Sequence, residues 1–473
     1  MLKNGRFIGF LSLFLLSTAI SQAQGRGAIF DDRYDNLPRR AELSGRSYEG
    51  LPSSHSLKLF APLPGNQADY TTCVAWAAGY AARTISESVA LNRIDQSETT
   101  RNAFSPVFIY RNAQPDDEEC TSGMQIYKAL DYMRDFGTVK MIDIERNVSF
   151  PRVNLAYYRT VKKYPIAGYV TLFSRDERRK PALITNIVKK SICEGKPVII
   201  GMNTPDSFNK AQGVWRPTED PSRFYYGHAL CVIGYNDNKY GGAFEVLNSW
   251  GRKWGNGGYI WIPYQTFVNF VTEGYEITEN ILNFSGANKF DGYARIEISG
   301  TADTADTAGK TADVRLDRNN IYTTTETFKA GTQVNFVIGS KESAYVYSFT
   351  VSQTDDNGDF YSPVLLFPKA NVSPLLNYSG CEVILPGEGR TISLDTQGTT
   401  FLITLYAKYS LDITAVMRTF ANAKGSLNKR LTAALRENYI TSLSFSENEA
   451  AFTLIPDNPR IITALIAAIR HGD

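Results

Sequence analysis

Cys73 heads the stretch CVAWAAGYAA, a run of small residues that otherwise reads as a plain helix. Four roles are open to such a cysteine: packed core residue, half of a disulfide, metal ligand or nucleophile. The chain has five cysteines (Cys73, Cys120, Cys193, Cys231, Cys381) and three histidines (His55, His228, His471). There is no CxxC pair and histidine is scarce, so a Cys/His zinc site has little support and no metal is expected. An odd cysteine count leaves at least one unpaired within the chain. As a nucleophile the thiol must become a thiolate, which a helix N-terminus and a neighbouring imidazolium both favour. His228 offers an imidazole in YGHALCVIGYND, just ahead of an apolar strand. Asn248 ends a strand in FEVLNSWGRKWGNGGYIWI, and Gln67 precedes Cys73 by six residues in GNQADYTTC.

The order Gln67, Cys73, His228, Asn248 in these surroundings resembles the papain-like cysteine peptidases. The NSWG…WG…GGY run carries most of the likeness, which covers roughly Leu51 to Phe284. The segment Thr72 to Ala77 is similar to the bacterial branch. The resemblance implies a Cys73 thiolate paired with His228, which later protonates the leaving amine. It implies that Asn248 orients the imidazole. Gln67 and the Cys73 backbone N–H would hold the oxyanion, and Trp250 would cover the His–Asn hydrogen bond. Gly123, Met124, Gly227 and Trp250 are the implied substrate-binding residues. The chain departs from the family pattern at Val74, Ala68 and Tyr70, where Trp, Gly and Cys are usual. Cys120 therefore lacks the partner it has in the family and is expected as a free thiol or in an unusual pair. A long inhibitory propeptide looks absent. No cofactor is implied, and the partner is a peptide or protein substrate.

Elements must hold these groups in place. Trp76, Ala77, Tyr80, Ala81, Thr84 and Ile85 recur at helical spacing, predicting a helix from Cys73 to about Val89. Ile126, Tyr127, Leu130 and Met133 make a second amphipathic pattern; Leu183, Ile184, Ile187, Val188 and Ile192 make a third, stopped at Glu194 to Pro197. Val198–Ile200, Ala229–Tyr235 and Phe244–Trp250 read as strands. Early helices and late strands predict an α+β domain over 51–284, a papain-like two-lobed fold with a helical and a β-barrel-like lobe. Cys193 and Cys231 read as buried thiols, Cys381 as packed in a strand, His55 as surface, and Pro115 to Glu119 as a solvated acidic loop.

The remaining chain is organised differently. Residues 285–318 read as a linker or long loop, with Thr-Ala-Asp recurring from Thr301, Thr304 and Thr311. QVNFVIG, AYVYSFTV, CEVIL, TISL and FLITLYAKY alternate as short strands, and Asp355–Asp359 centres a hairpin turn on Asn357-Gly358. They predict an all-β sandwich over 319–415 that does no chemistry, with an α/β extension over 416–473 packed on it; it either folds separately and serves localisation or substrate capture, or packs on the peptidase domain and stabilises it. The sandwich is similar to an accessory domain found beside bacterial enzymes. Residues 1–23 read as a signal peptide: Lys3 and Arg6, an apolar run from Phe7 to Ile20, then Ser21-Gln22-Ala23. The run is short for a membrane span. Export to a periplasmic, cell-surface or extracellular location follows. Residues 24–50 read as a short polar arm. The net charge of +2 falls to zero on removal of the two basic leader residues, and nothing points to nucleic acid or membrane as partner. Two other readings share these residues: a peptide- or glycan-binding protein without turnover, and an acyl transfer such as transpeptidation through the same thioester.

Overall fold

The computed structural model describes residues 24–144, 159–279, 290–300, 309–353, 360–395, 397–455 and 460–472. The expected signal segment, residues 301–308 of the Thr-Ala-Asp run and the Asp355–Asp359 turn lie outside them. Among the described residues no helix is long and apolar enough to cross a membrane.

The helix expected from Cys73 forms. α1 (Cys73–Ala75) runs without a break through a π-helical stretch, Trp76–Arg83, into α2 (Thr84–Ala90). Small side chains let it sit inside the fold: Ala75, Ala78 and Ala82 are buried, and a β-carbon on Gly79 would come within 2.2 Å of Ile109 Cδ1. α3 (Gln96–Arg101) and α4 (Pro106–Ala113) begin at Asp95 and Ser105, whose side chains cap their first turns. α5 (Ile126–Asp135) and α6 (Pro181–Cys193) are the other two amphipathic patterns, and α7 (Tyr264–Phe270) follows the last motif. The strands are β1 (Ser54–Ser56), β2 (Gly168–Thr171), β3 (Val198–Asn203), β4 (Gly227–Asn236), β5 (Ala243–Leu247), β6 (Tyr259–Pro263) and β7 (Val271–Thr278). They form one antiparallel sheet in the order β2-β7-β3-β4-β5-β6, with β1 on β4. β3 and β5 are buried along their whole length, Glu245 at the centre of β5 included. The class is α+β.

The C-terminal region is built from two facing sheets. One takes β10 (Val314–Leu316), β11 (Ile321–Lys329), β13 (Ala344–Gln353), β14 (Val364–Phe367), β15 (Leu375–Leu376), β18 (Gly398–Ala407) and β21 (Ile462–Gly472). The other takes β8 (Phe290–Gly300), β9 (Lys310–Thr311), β12 (Thr332–Ser340), β16 (Cys381–Leu385), β17 (Ile392–Leu394), β19 (Ser444–Phe445) and β20 (Ala451–Leu454). Ile296 and Phe336 from one sheet share a core with Val346 and Leu402 from the other. α8 (Ile413–Asn422) and α9 (Leu427–Leu435) cover the outer face of the first sheet through Phe420 and Leu431.

Several expectations are corrected here. The stretch 285–318 is no simple linker: β8 is a long strand paired with β12 from Tyr293 to Gly300. The end of the chain is more than an extension packed on a finished sandwich. β21 lies inside the sheet, parallel to β11 and antiparallel to β18. The two regions do not hang apart, because a buried polar cluster joins them. Glu276 of β7 accepts from Tyr378 Oη and, at 3.1 Å, from Asn377 Nδ2, while Lys196 lies 3.5 Å away. In the acidic stretch Pro115, Asp116, Glu118 and Glu119 are exposed as expected, whereas Asp117 accepts from Tyr110 Oη at 2.6 Å and from the N–H groups of Thr121 and Ser122. Cys193 is half-buried with its sulfur 2.9 Å from Tyr235 Oη, and His55 is half-buried in β1 opposite Tyr235. All five cysteines are free thiols.

Candidate active site

α1 begins at Cys73, so the positive end of the helix dipole falls on this sulfur. His228 is the second residue of β4, and Asn248 follows the last residue of β5, the neighbouring antiparallel strand. That register brings His228 Nε2 to 2.8 Å from Asn248 Oδ1. The indole of Trp250 stacks on the imidazole, with ring centres 4.6 Å apart and planes at 23°. His228 Nδ1 is buried and has no hydrogen-bond partner. Gln67 is locked by its backbone, whose N–H donates to Ser249 O at 2.8 Å, and by Ser249 Oγ on its side-chain carbonyl. Its amide nitrogen donates to Tyr70 O at 2.7 Å and to Gly25 O at 3.1 Å.

That last contact belongs to a segment absent from the expected site. The arm runs through the cleft between α1 and β4. Gly25 N–H donates to Ala68 O, and Trp250 Nε1 donates to Gly25 O at 3.0 Å. Ala28 N–H donates to Gly227 O at 3.1 Å; Met124 N–H donates to Gly27 O at 2.7 Å, and Ile29 N–H to Met124 O at 3.1 Å. The last two bonds make a parallel bridge between Ala28 and Met124. A β-carbon on Gly123 would come within 2.5 Å of Gly27 O. Met124, Gly227 and Trp250 thus hydrogen-bond the arm, and Gly123 lies against it. Phe30 sits over Gly201 and Gly227 with its edge toward Phe224. Arg26 reaches Asn209 Oδ1 and lies over the ring of Tyr226.

The arm closes the site to water. Cys73 and His228 are both completely buried. Burial pushes the Cys73 thiol up to about 11, against the pull of the N–H groups of Ala229, Gly27, Val74 and Ala28. Burial also takes His228 down to about 3; the Asn248 hydrogen bond opposes this and the charge of Arg26 adds to it. Covered in this way, burial favours the neutral thiol of Cys73 and the neutral imidazole of His228. Opened to water, the same groups can exchange a proton to give thiolate and imidazolium.

The sequence missed the arm. Its only signal is Gly25-Arg26-Gly27-Ala28, a backbone able to approach another closely. A β-carbon on Gly25 would meet Tyr70 O at 1.9 Å, and one on Gly27 would meet Thr71 O at 2.1 Å.

Residues 76–277 match the family described as papain family cysteine protease. Over these residues the chain is similar to a papain-family cysteine peptidase domain. The match includes His228 and Asn248 and begins just after Cys73. An uncharacterized peptidase C1-like protein of Acanthamoeba polyphaga mimivirus is 26% identical over 222 residues, which span 43% of this chain and 68% of that protein. A Glycine max protein described as a probable thiol protease is 26% identical over 151 residues, 31% of this chain and 35% of that one. Among solved structures, xylellain, a cysteine protease from Xylella fastidiosa, superposes with TM-score 0.41 at 18% identity, over 55% of this chain and 97% of its own. Digestive procathepsin L 3 of Tenebrio molitor gives 0.41 at 16%, over 55% and 77%.

Proposed function

We propose that the chain is a cysteine peptidase that hydrolyses peptide bonds through Cys73 and a thioester intermediate. The observation that supports this best is the His228–Asn248 hydrogen bond under the Trp250 ring, with His228 Nδ1 left without a partner beside the helix that starts at Cys73. In this reading His228 takes the Cys73 proton. The sulfur attacks the scissile carbonyl carbon, forming the C–S bond. The negative oxygen is held by the Gln67 amide and the Cys73 N–H. The C–N bond then breaks as His228 returns its proton to the leaving amine. Water, deprotonated by His228, attacks the thioester, and the C–S bond breaks to release the acid and restore the thiol. Gly123, Met124, Gly227 and Trp250 line the substrate path that the arm now fills. The basic start, apolar run and small-residue site of residues 1–23 support export to a periplasmic, cell-surface or extracellular place.

The un-ionised state of Cys73 and His228 also favours a second reading, a cleft that binds peptide without turnover. One experiment separates the two. Gly27→Val cannot seat the arm, since its side chain would run into the Thr71 backbone. A diverse peptide mixture is incubated with Gly27→Val, and with Gly27→Val carrying Cys73→Ala, under reducing conditions, and the products are read by mass spectrometry. Hydrolysed peptides with Cys73 alone are expected. Joined peptides would mean transpeptidation. No products from either chain, or equal products from both, would overturn the peptidase.

A further inference from the structure

The arm has two halves that belong to different cores. Ala28 and Tyr34 are buried in the core of the peptidase domain. Ala41 and Leu43 are buried in the core between the two sheets of the C-terminal region. Between the halves, Asp32, Arg33, Asp35 and Asn36 are exposed. Residues 38–40 then form the middle strand of three. On one side Thr171 N–H donates to Pro38 O and Arg40 N–H to Thr171 O, both at 2.9 Å. On the other, Arg39 N–H donates to Asn371 O and Ser373 N–H to Arg39 O, both at 2.7 Å. The grip continues with Ser44 N–H on Glu382 O at 2.8 Å, Gly45 N–H on Glu388 Oε1 at 3.0 Å and Arg46 on Glu297 at 2.6 Å. Gly25 to Ile29 hold the cleft through backbone hydrogen bonds, the Gln67 and Trp250 side chains on Gly25 O and Arg26 on Asn209, and just beyond them Tyr34 Oη accepts from Gly274 N–H.

We propose that the C-terminal β region anchors the arm, pinning residues 38–47 so that residues 25–30 stay across the cleft and keep Cys73 covered. The proposal rests on the reading of Cys73 as the nucleophile for its significance, though not for its test. Tethering is what makes a weak plug effective. A short covalent link holds a group at millimolar effective concentration, and cutting it returns the group to bulk dilution. Tyr34 within this segment is buried in the peptidase core, and the exposed Asp35–Asn36 bond beyond it is where the link can be cut while plug and anchor stay in place. Opening then needs one cleavage or one loosened strand, and no unfolding of the peptidase domain.

The test reads exposure of Cys73 by its rate of alkylation with iodoacetamide, located by mass spectrometry in the full chain. Gly27→Val sets the open rate. A protease recognition site inserted between Asp35 and Asn36 leaves every anchoring residue in place; after cutting and dilution, alkylation should rise about 10²-fold. Ser373→Pro, which removes the N–H that Arg39 O accepts, and Leu43→Ala should raise it in the uncut chain. If Gly27→Val is fast but cutting leaves the rate at the closed value, the plug holds without its tether and the anchor is wrong. If Gly27→Val itself is no faster than the parent, the arm does not guard Cys73 and the proposal falls with it. The expected alkylation pattern in a chain that hydrolyses no peptide after opening would sink the peptidase reading and leave the anchor standing.

Discussion

The cleft and the junction between the two regions both bury polar side chains completely, and they treat them in opposite ways. At the junction Glu276 accepts from Tyr378 and Asn377 and faces Lys196, while Tyr378 Oη also meets Ser191 Oγ at 3.0 Å and the Arg40 guanidinium. Only Arg40 Nε is left over there. In the cleft His228 Nδ1 and Asn248 Nδ2 both stay without partners, although His228 Nε2 and Ser249 N–H both bond Asn248 Oδ1. Interiors rarely leave such atoms unpaired. A cluster that satisfies its members is there to join elements. One that holds a ring in place and leaves its other nitrogen open is prepared for a reacting group. The contrast sorts the two sites without any motif, and substitutions can break it.

The largest effect should come from the cleft. In the Gly27→Val background, Cys73→Ala should abolish hydrolysis and labelling by an epoxysuccinyl inhibitor. His228→Ala should lower kcat/KM by about 10⁶-fold, as expected for a residue that both makes the thiolate and donates the proton. Activity is compared per folded molecule, since both side chains are buried and His228 also holds Asn248 and stacks on Trp250. Labelling that survives Cys73→Ala would move the nucleophile elsewhere.

The junction should behave in the reverse manner. Glu276→Ala takes a buried acidic partner from half-buried Lys196 and the acceptor from Tyr378 and Asn377; removing one member of a fully buried ion pair costs about 3–5 kcal/mol, an upper bound for this partly exposed one. Burial already holds the Lys196 ammonium below its ordinary range. Denaturant unfolding should show the loss, with kcat/KM of the folded fraction in the Gly27→Val background unchanged. A drop in kcat/KM at full folding would mean that the junction shapes the cleft, and the sorting by satisfied and unsatisfied atoms would fail.

Gln67→Ala comes next, at about 10²–10³-fold in kcat, as for one oxyanion donor. The amide already holds a carbonyl oxygen, that of Gly25, at 3.1 Å. If the variant keeps full kcat in the open background, the amide merely fastens the arm.

The two sites also differ in how far the sequence discloses them. Gln67, Cys73, His228 and Asn248 each stand in a short stretch whose types and spacing announce them, and the helix and strands that carry them are strongly periodic. The junction draws Arg40, Lys196, Glu276 and Tyr378 from four distant segments, each an unremarkable polar residue in its own surroundings. The arm is hidden for another reason: its cleft contacts are mostly backbone N–H and C=O groups, and backbone contacts leave no side-chain pattern. β8 was legible in principle. Phe290, Ala294, Ile296 and Ile298 point inward on alternate positions, but the neighbouring Thr-Ala-Asp run draws the eye to a linker.

Asn248→Ala should give the smallest loss in the cleft, and it sharpens the comparison most. In the proposed mechanism Asn248 touches no reacting atom; it accepts from His228 Nε2 and so leaves Nδ1 as the open ring nitrogen. One such hydrogen bond is worth about 1 kcal/mol net. Trp250 still stacks on the ring after the substitution, so the loss in kcat/KM should be about tenfold, far short of His228→Ala. The pH profile tells orientation from mere damage. In the parent chain alkylation of Cys73 should rise only toward pH 11, because burial disfavours the thiolate. In Gly27→Val water reaches the pair, imidazolium can form, and the rise should move to the acid side of neutrality. Asn248→Ala on top of Gly27→Val should shift that inflection back upward, since the hydrogen bond to Asn248 favours the charged ring. An unchanged inflection with the same tenfold loss would make Asn248 a packing residue and leave Trp250 as the group that orients His228.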